Sequence, residues 1–86
     1  MTFALLLERQ AEKDLRDLPL PILRRVDARL LALSKEPRPR GSLKLKGKEG
    51  EGWRIRVGDY RILYTIDTDQ EIIKIYHIGH RRDVYR

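Results

Sequence analysis

The sequence predicts an α+β domain. In it a β-α-α-β-β-β chain forms an antiparallel sheet of about four strands, with a helical hairpin packed on one face. Three patterns point there. Apolar residues recur at helical spacing, first at Ala11, Leu15 and Leu18, then at Ile22, Val26, Leu30 and Leu33. After Gly52 the period changes to two, as strands require. Between them lies "PRPRGSLKLKGKEGEG", whose four glycines and two prolines separate the two halves. A chain of 86 residues without internal repeats makes a single domain over residues 1–86, with a small core.

Each element has a local reason. Residues 2–8 are a short apolar run that reads as a strand, although such a run also fits the start of a helix. The first helix covers 8–18, with Glu12 and Arg16 as an i,i+4 pair of favourable orientation. Pro19 and Pro21 break it and open the second helix. That helix carries Arg24, Arg25 and Lys35 on its polar side. It ends before "EPRPRG", because proline disfavours helical geometry in the residue ahead of it. Three strands follow at Trp53–Val57, Tyr60–Asp67 and 71–78, and residues 81–85 form a short tail.

Composition narrows the chemistry. There is no cysteine, which excludes disulfides and thiolate metal sites and is compatible with a reducing cytoplasm. No apolar run approaches the ~18–20 residues that span a bilayer, so no membrane partner is expected. Motifs of nucleotide-binding loops and serine hydrolases are missing, and no cofactor is expected. His77 and His80 lie three apart without carboxylates at ligand spacing, so no metal site is expected either.

The net charge of +6 is concentrated. Residues 1–37 hold seven basic and six acidic side chains, residues 38–61 eight and three, and residues 62–86 four of each. The excess thus falls in the middle of the chain, in Arg38, Arg40, Lys44, Lys46 and Lys48 of the loop and in Arg54, Arg56 and Arg61 beyond it. Positive charge confined to one segment is the footprint of a polyanion partner, whereas a merely solubilising charge is usually spread out.

The "VGDY" turn sorts those arginines. Gly58-Asp59 suits a two-residue type II′ turn, which pairs Val57 with Tyr60, Arg56 with Arg61, Ile55 with Ile62, Arg54 with Leu63 and Trp53 with Tyr64. Trp53, Ile55, Val57, Tyr60, Ile62, Tyr64 and Ile66 then share one apolar face that receives the helices. Arg54, Arg56 and Arg61 stand on the other. Arg56 opposite Arg61 is a like-charge pair, which costs stability unless an anion or a folded-over carboxylate such as Glu51 or Asp83 offsets it. Arginine forks bond a phosphate in two places. The tail "IGHRRDVYR" adds His80, Arg81, Arg82 and Tyr85, whose ring can stack on a base.

Taken in order, the first strand, the αα-hairpin, the "LKG" loop, "WRIRVGDYRILY" and "IGHRRDVY" resemble the RelE/ParE superfamily of toxin–antitoxin toxins, over almost the whole chain. In the RelE branch this resemblance implies a ribosome-dependent endoribonuclease, an mRNA interferase that cleaves mRNA in the A site and inhibits translation. There the ribose 2′-hydroxyl attacks the adjacent phosphate without a metal. By matching position, Arg54, Arg56, Arg61, Arg81 and Tyr85 would be the functional residues, with His80 beside Arg81 as a candidate acid or base. Arg38, Arg40, Lys44, Lys46, Lys48 and Arg82 would meet RNA or rRNA. The best-known members of that branch have lysines where Arg54 and Arg56 stand. Arginine keeps its proton, so these two positions retain the charge role and lose any base role. Proton abstraction then falls to Tyr85, His80 or a lysine such as Lys44 or Lys46, or else charge and positioning supply the rate.

The resemblance also implies a cognate antitoxin, and a toxin–antitoxin hetero-oligomer on operator DNA. Two alternatives stay open. One is a ParE-like DNA gyrase inhibitor that acts through the helical hairpin and tail; the other is a non-enzymatic binding subunit of the same kind of complex.

Overall fold

A computed structural model describes residues 2–82. The chain runs β1 (Ala4–Leu7), α1 (Arg9–Arg16), α2 (Leu20–Lys35), β2 (Leu43–Lys44), a 3₁₀ turn (Gly47–Glu49), β3 (Trp53–Val57), β4 (Tyr60–Asp67) and β5 (Ile72–His80). The α+β class and the helical hairpin on one sheet face are as the sequence predicts. The sheet itself differs in two details. It has five strands, in the order β1-β5-β4-β3-β2, and β1 runs parallel to β5. The parallel pair follows from the connection: two helices carry the chain from one sheet edge to the other, and the β2–β5 meander brings it back. The fifth strand, β2, is two residues within the glycine-rich loop, too short to show alternation.

The helices form where expected. Pro19 precedes α2 and Pro21 lies in its first turn, where the missing N–H costs nothing. Glu36 is already extended, with φ −136° and ψ 90°, as the residue ahead of Pro37 must be. Ala11, Val26, Leu30 and Leu33 pack against Ile55, Val57, Ile62, Tyr64, Ile73, Ile75 and Ile78 to make the core. Leu15, Leu18, Ile22, Trp53 and Ile66 close its margins. The buried face of the hairpin is thus the one that alternation assigns to it.

The β3–β4 register reproduces all five predicted pairs, from Trp53↔Tyr64 to Val57↔Tyr60. Gly58 supplies the turn's positive φ of 60°, while Asp59 keeps an ordinary negative one, the type II′ pattern. On β5 the alternation slips. Leu63 pairs with His77 but Tyr64 pairs with Ile75, so Tyr76 is the extra residue of a bulge. This shift keeps Ile78, rather than His77, on the core face.

A second, smaller cluster lies on the other face, where Leu45 and Leu63 are buried with Tyr76 against them. It gives the basic loop a fixed course. The Leu45 N–H donates to the Gly52 carbonyl at 2.9 Å, and the Tyr76 hydroxyl donates to the Glu51 carbonyl at 2.6 Å. On the helix side, the Tyr64 hydroxyl donates to the Pro37 carbonyl at 2.8 Å and so ties the start of the loop to the sheet.

Candidate nucleic-acid interface

The hairpin turn sets the site. Arg54 pairs with Leu63, and Arg56 with Arg61, on the face away from the helices. The next strand continues the row, because Arg61 also pairs with Gly79. Glycine brings no side chain to crowd the arginine. Arg56 is exposed and Arg54 half-buried, whereas Arg61 is only 7% exposed. So deep a position is costly for a guanidinium unless its bonding groups are met. Glu51, one carboxylate able in principle to fold over the pair, instead lines a cavity with Glu8, Thr65, Lys74 and Tyr76, toward the opposite end of these strands. Asp83 lies outside the described residues.

The structure brings together some of the expected site residues and separates others. Arg54, Arg56 and Arg61 share a face. Arg81 is exposed, and its N–H donates to the Asp59 carbonyl at 2.8 Å, which pins the start of the tail to the hairpin turn beside the arginine pair. Arg82 is exposed, and its N–H donates to His80 Nδ1 at 3.3 Å. His80 pairs with Tyr60 and therefore lies on the helix-facing side, its ring edge-on to Tyr60 with centroids 5.5 Å apart. It does not share the arginine face. Lys44 pairs with Trp53 and belongs to that helix-facing side as well. Tyr85 lies outside the described residues.

Among the loop residues, Arg38 has a defined partner: its guanidinium carbon sits 5.3 Å from the Trp53 ring centroid, a cation–π contact. Arg40, Lys44, Lys46 and Lys48 are exposed. Arg38 and Arg29 also lie near the Tyr64 hydroxyl. Burial pushes that group up from 10.0 to about 12, against the opposing pull of a Ser42 hydrogen bond and of the two arginines.

Two residues that sequence reasoning did not single out for a site also gather here. Arg25 and Arg29 of α2 line a cleft with Arg56 and the β3–β4 turn. Their i,i+4 spacing was the available signal, since like charges so placed repel. Among the described residues, no group of three or more His, Asp or Glu side chains could hold a metal ion. No described helix is long and apolar enough to cross a membrane.

A helical hairpin laid on a five-stranded sheet is the architecture of a class of small toxins. The family model described as "ParE toxin of type II toxin-antitoxin system, parDE" matches residues 5–85, and the chain belongs to this RelE/ParE superfamily of toxins. Individual relatives place it near the RelE members. Toxin RelG of Mycobacterium tuberculosis is 36% identical over 77 residues, covering 88% of this chain and 87% of its own. The toxin–antitoxin complex RelBE2 from Mycobacterium tuberculosis contains a chain that superposes with a TM-score of 0.82 at 30% identity, over 94% of this chain and 100% of that one. The archaeal RelE–RelB complex from Pyrococcus horikoshii gives 0.81 at 31% identity, over 96% and 99%.

Proposed function

We propose that this toxin is a ribosome-dependent endoribonuclease that cleaves mRNA in the A site and thereby inhibits translation. The observation that supports the reading is Arg56 directly opposite Arg61 with Arg54 on the same face, which gathers three forked cationic donors on one side of the sheet. A phosphodiester fits, because two forked guanidinium groups bond its oxygens and meet the charge that develops there.

In this reaction the ribose 2′-oxygen attacks the adjacent phosphorus and the bond to the 5′-oxygen breaks. The products are a 2′,3′-cyclic phosphate and a 5′-hydroxyl. One proton leaves the 2′-oxygen and one arrives at the 5′-oxygen. Arg61 and Arg81 hold the phosphate, and Arg54 and Arg56 add charge. His80, facing the helices, is a weaker candidate for either proton than Tyr85. Much of the rate then comes from positioning and preorganised charge. Arg40, Lys46, Lys48 and Arg82 are exposed and suit contacts with rRNA phosphates; Arg38 and Lys44 approach from the Trp53 side.

The partner is a cognate antitoxin, as in the RelBE2 and RelE–RelB complexes of the relatives. It neutralises the toxin by covering the arginine face or displacing the tail, in a cytoplasmic complex that also binds operator DNA. The test is translation of a defined mRNA with antitoxin-free protein, mapping 5′-hydroxyl ends with and without ribosomes. Absence of cuts at every codon would falsify the reading. A second reading, inhibition of DNA gyrase, is favoured by the ParE description of the matching family. Loss of gyrase supercoiling in the presence of the protein, with mRNA intact, would select it.

A further inference from the structure

Arg25 and Arg29 of α2, Arg56 of β3, Ala28, Val57 and Gly58 enclose a cleft of about 360 Å³ between the second helix and the β3–β4 turn. Three of the six are arginines and none is acidic. Among the described residues, none of these three arginines forms an ion pair; the pair found there is Asp14–His77, on α1 and β5. Arg25 and Arg29 are one helical turn apart, a spacing at which like charges repel. A third cation, Arg56 at the edge of β3, also lines the cleft. Three arginines lining a space with small, uncharged walls describe a site for an anion that several forks can grip.

The turn is shaped to admit the arginine. A Cβ on Gly58 would stand 3.3 Å from Arg25 Nη1, at a φ of 60° that side chains rarely adopt. Glycine therefore serves the turn and leaves the guanidinium room to lie against it. Arg56 also links this cleft to the arginine face. β2 pairs only with Trp53 and Arg54, so among the described residues the outer edge of β3 has no paired strand from Ile55 onward. Arg56 stands at that open edge, between Arg61 on one side and the α2 arginines on the other. The charge thus continues around the edge as a track, the form in which a polymer of phosphates is bound.

We infer that the cleft between α2 and the β3–β4 turn is a second phosphate site, in which Arg25, Arg29 and Arg56 hold a backbone phosphodiester of RNA flanking the one on the Arg54–Arg61 face. The inference rests on the RNA reading above and adds to it a contact away from the reacting bond. Arg25 and Arg29 are positioning residues.

The test measures binding of a short fluorescein-labelled 2′-O-methyl RNA, which cannot be cut, by anisotropy over a range of salt. The R25Q/R29Q variant is expected to bind about tenfold more weakly, with a salt slope lower by about 0.7 for each phosphate no longer neutralised. R25K/R29K, which keeps the charge but not the forks, should retain the slope and bind with intermediate affinity. R24Q, a change of charge on the exposed side of the same helix, should behave as wild type. Equal affinity and slope in R25Q/R29Q and R24Q overturn the inference. So does weakening seen with a poly-glutamate peptide but not with RNA, which would make the cleft a protein contact. The matched DNA strand identifies the source: weakening on RNA, with or without weakening on DNA, supports the inference, and weakening on DNA alone overturns it. Weaker RNA binding in R25Q/R29Q, together with a wild-type protein that leaves mRNA uncut on ribosomes, supports the cleft and overturns the nuclease reading, so the two fail separately.

Discussion

Asp14 and His77 meet at 2.6 Å across 63 positions of sequence, and the same Asp14 oxygen accepts the N–H of Ile78 at 2.9 Å. The reason lies in the sheet. β1 covers only Ile72–Ile75 of β5, and beyond it, among the described residues, that edge of β5 has no neighbouring strand. The carboxylate on α1 takes over the missing strand's role as acceptor. Asp14→Ala leaves both donors without it and should cost about 1.5–3 kcal/mol. Urea denaturation checks this: the midpoint should fall with the slope unchanged, and an unchanged midpoint refutes the bracing role.

If the proposed reaction holds, Arg61 should matter more for chemistry than for solubility, because it is nearly buried on the face it shares with Arg54 and Arg56. Arg61→Lys keeps the charge and loses the fork. Ribosome-programmed cleavage should fall about 10²–10³-fold, as when a preorganised donor is removed. Far-ultraviolet circular dichroism should be unchanged. Full cleavage by the lysine variant would show that the fork has no catalytic part.

Tyr64 gives the fold an alkaline limit. Its hydroxyl is pushed from 10.0 up to about 12, chiefly by burial, so the folded chain holds that proton more tightly than the unfolded chain. The resulting stabilisation is complete below the unfolded value and is lost as the pH rises through about 12. It amounts to something on the order of 2 kcal/mol. Tyr64→Phe should flatten the fall in stability between pH 10 and 12, measured by urea melts at each pH. Parallel curves for the two proteins would contradict it.

Gly52 precedes the first arginine strand at a φ of 88°, and a Cβ there would lie 2.2 Å from the Tyr64 carbonyl oxygen. Backbone cannot yield as a flexible side chain does. Gly52→Ala should cost about 2–4 kcal/mol, through both the strained φ and the displaced strand. Gly41 has φ 95° but open space around it, so Gly41→Ala should cost only about 1 kcal/mol. Thermal unfolding of the two variants separates the contributions; equal destabilisation would mean the clash at Gly52 relaxes freely.

Much of the site was legible because one turn fixed it. Gly58-Asp59 set the register, and the register put Trp53, Ile55 and Val57 on the core and Arg54, Arg56 and Arg61 opposite. The partner of β1 was not legible, since nothing in "ALLL" records where two helices will deliver the chain. His80 fell on the helix side because of the bulge at Tyr76. A signal for that bulge existed: the buried series Ile73, Ile75, Ile78 advances by two and then by three, and the extra step moves every later residue to the other face. The association of Arg25 and Arg29 with Arg56 is tertiary, and only their helical spacing hinted at it.

The pairing of β1 with β5 also orders events in time. β1 is completed only by β5, Ala4 against Ile72 through Leu7 against Ile75. Until β5 is present, the core also lacks Ile73, Ile75 and Ile78, and Asp14 has neither His77 nor Ile78 to hold. Such distant pairing slows folding relative to local hairpins, because the chain must close a long loop before the contact stabilises it. A nascent chain that has already displayed Arg54, Arg56 and Arg61 therefore has no closed sheet to support them. The arginine face gains its rigid backing only once β5 has been made.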